Sequence, residues 1–151
     1  MRVALLIHLL GAIIWIGGMF FAYVALRPAA ARLLEPPQRL PLWRETLGRF
    51  FTWVWISIAA IFVTGIHMLG VAYGFKAAPL YVLAMAAIAV VMAVIFVYVY
   101  FAPFKALVHQ VEVGNWKAAA AALNSIRRLV ATNLVLGMAT VIVAVVGGVL
   151  A

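Results

Sequence analysis

Three histidines are the side chains in this sequence whose chemistry most needs an explanation. His8 lies in the apolar stretch LLIHLLGAIIWIGGMFF, His67 lies in VTGIHMLG, and His109 follows much later in the chain. Polar side chains are costly inside hydrocarbon, and those that do occur there usually have a function. A neutral imidazole can bind haem iron or copper, relay protons or electrons, or donate a hydrogen bond to a neighbouring helix.

The composition places these histidines in a membrane protein rather than in a soluble domain. Of the 151 residues, 70% are hydrophobic and 9% are charged, which is far from the composition of soluble proteins. The length suits a single domain spanning residues 1–151. The chain has no cysteine, which excludes disulfides and thiolate metal sites. The net charge of +8 fits basic loops that fix the orientation of a membrane protein. We therefore expect the chain to contact membrane lipid and not nucleic acid.

Four apolar segments are long enough to cross a bilayer, so the sequence predicts an all-α integral membrane protein with four antiparallel transmembrane helices. We expect the first segment to be a retained helix, not a cleaved signal peptide, and to end at Arg27-Pro28. Asn115 is a good N-cap for an Ala-rich helix that leads into the last segment. The predicted spans are 3–26, 50–73, 80–101 and 129–150.

The distribution of basic residues predicts the orientation of the helices. The first and third connections together carry nine Lys and Arg residues, whereas the opposite side has Arg2 and Lys76. The positive-inside rule therefore places both connections in the cytoplasm and both termini outside. This orientation predicts a multi-pass membrane protein.

Two of the three histidines fall at the same depth in this topology. His8 lies about 8 Å below the outer surface on the first helix, at 1.5 Å per residue. His67 lies about 9 Å deep on the second helix, which runs in the opposite direction. His109 falls near the cytoplasmic loop and is not expected to join them. We therefore predict that His8 and His67 share a site between the first two helices.

Small residues line the helix faces that carry these two histidines. Gly11 and Trp15 follow His8 on its face, and Gly70 follows His67 on the other helix. Small residues allow close packing of helices in lipid, but they also leave room for a flat cofactor. The pattern does not decide between these two interpretations.

Haem b held by His8 and His67 is the leading hypothesis, with electron transfer as its function. Arg2 and Lys76 are the outer-side cations that could meet the haem propionates. Copper is the alternative, because imidazole and thioether ligands suit Cu(I), and Met68 and Met85 fall near the same depth. A membrane subunit without a cofactor, in which the histidines act as interhelical hydrogen-bond donors, is the third hypothesis.

The last span carries a stripe of small and polar residues that would suit close helix packing. Such a face fits packing within the bundle or against a second copy in a homodimer. A redox or copper-handling protein is the other partner that the histidine site would require. The residues of the stripe are Asn133, Gly137, Thr140, Ala144 and Gly148.

Long stretches of the chain resemble the small four-helix membrane proteins of the copper resistance protein D (CopD) family. The stretches are IHLLGAIIWIGGMFF, ALRPAAARLLEPPQRLPLW, RFFTWVW and AALNSIRRLVATNLVLG, which together extend over nearly the whole chain. The resemblance implies a bacterial inner-membrane protein associated with copper handling.

A more distant similarity links the chain to HemJ, the membrane protoporphyrinogen oxidase family, which binds haem b. His8, Trp15 and Gly17 match that family's early histidine, tryptophan and glycine. Lys76, just outside the third span, is the nearest candidate for its lysine near the start of the third helix. The late acidic motif of that family is missing here, so the oxidase activity is not implied. The similarity does imply haem ligation by His8, whereas neither family requires His67.

Overall fold

The computed structural model describes residues 1–74 and 78–150, and helices make up almost all of this part of the chain. Six α-helices and two π-helical segments join into four continuous rods, each long and apolar enough to cross a membrane. The α-helices are α1 Arg2–Phe20, α2 Arg27–Leu33, α3 Pro36–Tyr73, α4 Leu80–Val99, α5 Lys105–Glu112 and α6 Trp116–Leu150. The prediction of four antiparallel transmembrane helices is confirmed.

Two π-helical segments carry the first and third rods through proline-containing stretches. Phe21–Leu26 joins α1 to α2 just before Pro28, and Tyr100–Phe104 contains Pro103 and joins α4 to α5. Proline lacks an N–H group and its ring clashes with the preceding turn, and a wider turn can absorb both defects. The prediction that the first helix ends at Arg27-Pro28 is therefore wrong, because this rod continues to Leu33.

The helix beginnings follow from local chemistry. α3 begins at Pro36, where the missing N–H group would have no intrahelical partner in any case. α6 begins after Asn115, whose Oδ1 accepts a hydrogen bond of 3.2 Å from the backbone N–H of Ala118. The predicted N-cap is confirmed, and the Ala-rich helix runs without a break into the last span.

The four rods pack as two close pairs, α1 along α3 and α4 along α6. Glycines bring the helix backbones together in both pairs. A Cβ atom added to Gly11 would lie 3.2 Å from the carbonyl oxygen of Ser57 and 3.1 Å from Ile61 Cγ1. A Cβ atom on Gly147 of α6 would collide with the side chain of Tyr81 on α4. The small residues after His8 therefore serve close helix packing.

A layer of aromatic rings joins the two pairs. Phe51 lies at the centre of this layer, with its ring centroid 5.3 Å from that of Phe96 and 4.9 Å from that of Phe104. Trp55 packs edge-on against Phe96 at 5.1 Å, and Trp15 does so at 6.3 Å. Bulky rings thus fill the space between α3 and α4.

The polar stripe of α6 is used partly inside this bundle. The amide of buried Asn133 donates a 3.0 Å hydrogen bond to the backbone carbonyl of Met92 on α4. A Cβ atom added to Gly137 would lie 2.9 Å from Ile16 Cγ1 on α1. Because these two residues already pack within the chain, they are not free to form a homodimer interface.

The first and third connections meet at one end of the bundle, which we call the basic end; it carries Arg27, Arg32, Arg39, Arg44, Arg49, Lys105, Lys117, Arg127 and Arg128. Arg44 of α3 donates a 2.8 Å hydrogen bond to Glu112 of α5, which ties the two connections together. α1 begins and α6 ends at the opposite end, which we call the histidine end because His8 and His67 lie near it.

We expect Gly11→Leu to destabilise the protein and Gly17→Leu to leave its stability unchanged. A side chain at position 11 must push α1 away from the backbone of α3, and overpacking of this kind costs about 1–3 kcal/mol. A Cβ atom at position 17 on the same helix meets nothing within 4 Å among the described residues. Thermal unfolding in detergent measures the difference; equal losses in both variants would contradict the close contact.

Candidate functional site

His8 forms a polar contact between the first two membrane-crossing rods. Its Nδ1 atom lies 3.1 Å from the carbonyl oxygen of Ile61 and 3.0 Å from the hydroxyl oxygen of Thr64, both on α3. Gly65 leaves room for the ring, since a Cβ atom there would lie 3.4 Å from His8 Cε1. The imidazole is half-buried and Thr64 is buried.

The acceptors around Nδ1 determine which nitrogen carries the proton in the neutral ring. A carbonyl oxygen can only accept, so Nδ1 must donate to Ile61. The Thr64 hydroxyl donates its own proton to the carbonyl of Ala60 at 2.6 Å, which leaves its oxygen free to accept from His8. Nε2 therefore carries a free lone pair, and this is the arrangement that supports a metal-binding imidazole.

One stripe of buried residues runs along α3, and Ser57 and Thr64 of this stripe lie opposite Gly11 and His8 of α1. The buried residues of α3 recur every three or four positions, as expected for one side of a helix, and Met68 takes the next position after Thr64. The antiparallel register pairs Gly18 with Phe50, Gly11 with Ser57 and His8 with Thr64. The buried residues of the stripe are Leu40, Trp43, Leu47, Phe51, Val54, Ser57 and Thr64.

Continued by one turn, this register places Met68 level with Ala4, one turn beyond His8 toward the histidine end. Side chains on a helix lean toward its N-terminus. The ring of His8 therefore leans toward the histidine end, and the thioether of Met68 leans back toward Thr64. Met68 is half-buried, which fits a position in line with this stripe.

The other predicted ligands lie apart from this contact. His67 is exposed on the outer surface of α3, whereas Thr64 is buried. Met85 is half-buried on α4, which packs chiefly along α6 and not along α1. His109 is exposed on α5, as expected for a histidine that does not join the site. A site shared by His8 and His67 remains a prediction.

The remaining predicted cofactor-binding residues have separate places in the fold. Trp15 is 3% exposed and belongs to the core, while Arg2 is exposed at the start of α1. The carbonyl of Gly70 accepts a 2.9 Å hydrogen bond from Gly74, which ends α3 in a left-handed conformation. Lys76, the predicted partner of a haem propionate, lies outside the described residues.

The packing beside His8 bears on which cofactor could fit. At Gly11, one turn from His8, the helices approach too closely for a porphyrin ring to lie between them. Across residues 1–74 and 78–150, no group of three His, Asp or Glu side chains could hold a metal ion. The imidazole nitrogen of His8 is therefore the donor at this contact, and Met68, one turn after Thr64 on α3, carries the next sulfur along that helix.

The residues that contact His8 are not among the predicted site residues. They are Ile61, Thr64 and Gly65 of α3. The signal was present in VTGIH, where a hydroxyl and a missing side chain adjoin at mid-helix. The hydroxyl can accept a hydrogen bond from an imidazole on a neighbouring helix, and the adjacent glycine leaves space for the imidazole ring.

Comparison with known proteins identifies one family. The model of the copper resistance protein D family matches residues 44–147, which is more than half of the chain. The match includes Thr64 and Met68 and excludes α1 with His8. No curated protein and no solved structure matches the chain.

We expect ¹⁵N NMR of the imidazole nitrogens to show His8 in the Nδ1–H tautomer when the ring is neutral. The Ile61 carbonyl demands a proton on Nδ1, and the Thr64 hydroxyl accepts from the same atom. The exposed His67 and His109 are internal references, because among the described residues neither ring has a hydrogen-bond partner. A proton on Nε2 of His8 would contradict the contact.

Proposed function

The chain belongs to the copper resistance protein D family, and on this premise we propose that it handles copper in the membrane by holding Cu(I) at His8. The observation that carries the proposal is the hydrogen bond from His8 Nδ1 to the carbonyl of Ile61. That bond orients the ring and leaves Nε2 as a ligand, which is how proteins commonly prepare a histidine for a metal.

Met68 is the second donor in this proposal. The register of α1 against α3 brings it within one turn of His8, on the side toward which the ring leans. An imidazole with a thioether is a soft donor pair that suits Cu(I), and no thiolate competes because the chain has no cysteine.

Few donors and a half-buried position favour transient binding of the ion over permanent storage. Two ligands from neutral side chains add no negative charge, so the ion keeps its positive charge in a low-dielectric setting. Copper would therefore leave readily toward a partner with stronger ligands. This is the behaviour expected of a protein that passes copper on, and a copper-handling protein is the partner it requires.

The basic end faces the cytoplasm in this proposal, and the histidine end faces outward. Nine Lys and Arg residues in two connections at one end support this orientation through the positive-inside rule. It places the copper site near the outer surface of the bacterial inner membrane, at the depth predicted for His8.

We expect the purified protein to bind Cu(I), and His8→Ala and Met68→Leu to abolish or greatly weaken that binding. Thr64→Val removes a group that orients the ligand and should weaken binding about tenfold. His67→Ala and Met138→Leu, which change exposed side chains, are the matched controls. Competition with a chelator that changes colour on binding Cu(I) gives the affinities.

Unchanged affinity in His8→Ala would contradict the proposal, and equal losses in His8→Ala and His67→Ala would favour the predicted two-histidine site. A visible spectrum of the same preparation tests the haem hypothesis directly. A Soret band that disappears in His8→Ala would indicate that His8 binds haem b and not copper. If protein from cells supplied with copper and haem contains neither, the result would favour a membrane subunit without a cofactor.

The proposed orientation predicts the behaviour of reporter proteins fused after two positions of the chain. Alkaline phosphatase is active only outside the cytoplasm, so we expect an active fusion after Ala151 and an inactive fusion in the third connection after Gly114. A green fluorescent protein at the same two positions should show the reverse pattern. The opposite result would place the histidine end in the cytoplasm.

A further inference from the structure

His67 is an exposed polar side chain on the membrane-spanning part of α3. It lies six residues before Tyr73, the last residue of α3, which corresponds to about 9 Å at 1.5 Å per residue. Side chains lean toward the N-terminus of their helix, and α3 begins at the basic end. The ring of His67 therefore leans toward the middle of the span and not toward the water beyond the histidine end.

The other exposed polar side chains of the four predicted spans do not share this difficulty. Thr52 and Thr132 each donate a hydrogen bond to a carbonyl oxygen of their own helix, at 3.2 Å and 3.1 Å. Trp53 and Tyr98 lie toward the basic end, where amphipathic rings are typical of a membrane interface. His67 has no hydrogen-bond partner in the described part of the chain, and an unpaired polar group in hydrocarbon is costly.

His67 belongs to a line of exposed residues on α3, which we call the outer stripe. The residues recur every three or four positions, as expected for one side of a helix. At 100° per residue, this side is opposite the one that carries the buried residues Val54 and Ser57. The members of the outer stripe are Glu45, Arg49, Thr52, Ile56, Ala59, Val63 and His67.

The polar residues of the outer stripe are complementary to those of a second copy. A two-fold axis along the membrane normal keeps each residue at its own depth, so His67 meets His67 of the partner subunit. A neutral imidazole has one donor and one acceptor, so two such rings can form a hydrogen bond with each other. At the basic end, Glu45 and Arg49 form an ion pair of 2.8 Å. The same axis brings each Arg49 diagonally opposite the partner's Glu45, so the charges of the two copies balance.

The middle of the outer stripe suits contact with another helix. Ile56 and Val63 are 53% and 68% exposed, and Ala59 between them allows close approach of a helix backbone. The homodimer face predicted on α6 is partly used within the chain, because Asn133 and Gly137 pack there. The outer stripe of α3 is free of such contacts among the described residues.

We propose that two copies of the protein associate through the outer stripe of α3, with a hydrogen bond between their two His67 side chains. A second copy supplies at the right depth the polar partner that His67 lacks, which lipid cannot supply. Each protomer keeps its own contact between His8 and α3, because Ile61 and Thr64 lie on the side of α3 that meets α1. The proposal therefore does not depend on copper binding.

The lack of cysteine in the chain makes disulfide cross-linking a direct test. Ala59→Cys and Val63→Cys each place a single thiol on the outer stripe, whereas Val141→Cys places it on an exposed position of α6. With iodine as the oxidant in membranes, we expect the two α3 variants to form a covalent dimer and Val141→Cys to remain monomeric. Mass spectrometry should give the product twice the mass of the chain.

Variants of His67 separate the hydrogen bond from apolar packing. The full-length protein, labelled at its C-terminus with a donor or an acceptor fluorophore, is placed in phosphatidylcholine vesicles at several protein-to-lipid ratios. Energy transfer then gives the association constant. We expect His67→Leu to lower this constant about three- to tenfold, as for the loss of one polar contact between membrane helices. His67→Asn keeps a donor and an acceptor and should retain most of the association.

Four results would overturn the proposal. The first two are wild-type protein that shows no energy transfer at any ratio, and cross-linking at position 141 as strong as at position 59. The third is a cross-linked product with the mass of a different protein. The fourth is equal association of the wild type and His67→Leu, which would show that the histidine pair is not formed. Copper affinity is measured separately, so either proposal can fail without the other.

Discussion

The backbone contact between α1 and α3 at Gly11 is the constraint on which the histidine end depends. Helices this close must keep one register, and that register sets His8 opposite Ile61 and Thr64. A polar ring in lipid gains a definite acceptor only where the facing helix comes near enough. Close packing and the orientation of the imidazole are therefore two results of the same contact.

The spacing of the two helix pairs follows from the size of the residues between them. Glycines bring α1 to α3 and α4 to α6, whereas the rings of Phe51, Phe96 and Phe104 hold α3 away from α4. Consecutive rods are thus not always the closest neighbours. Met85 illustrates the consequence, because it lies at a suitable depth but on a helix that packs along α6.

The two ends of the bundle have opposite chemical characters. Near the histidine end, His8 is held by hydrogen bonds to Ile61 and Thr64 of α3, where we propose that it binds copper. The basic end carries nine Lys and Arg residues and two ion pairs, Arg44–Glu112 and Arg49–Glu45. A short, apolar chain can place these features on opposite sides of a bilayer because each rod is long and apolar enough to cross it.

The sequence by itself determined the four helices, the common end of the two basic connections and the N-cap at Asn115, because hydropathy, charge and capping act over short stretches. It also identified His8 as a polar group in need of a partner. Only the tertiary structure decided which partner that is. Depth along a helix can be counted from residue positions, but rotation about the helix axis depends on packing. His67 therefore matches His8 in depth and lies on another face, while Thr64 and Gly65 face the ring.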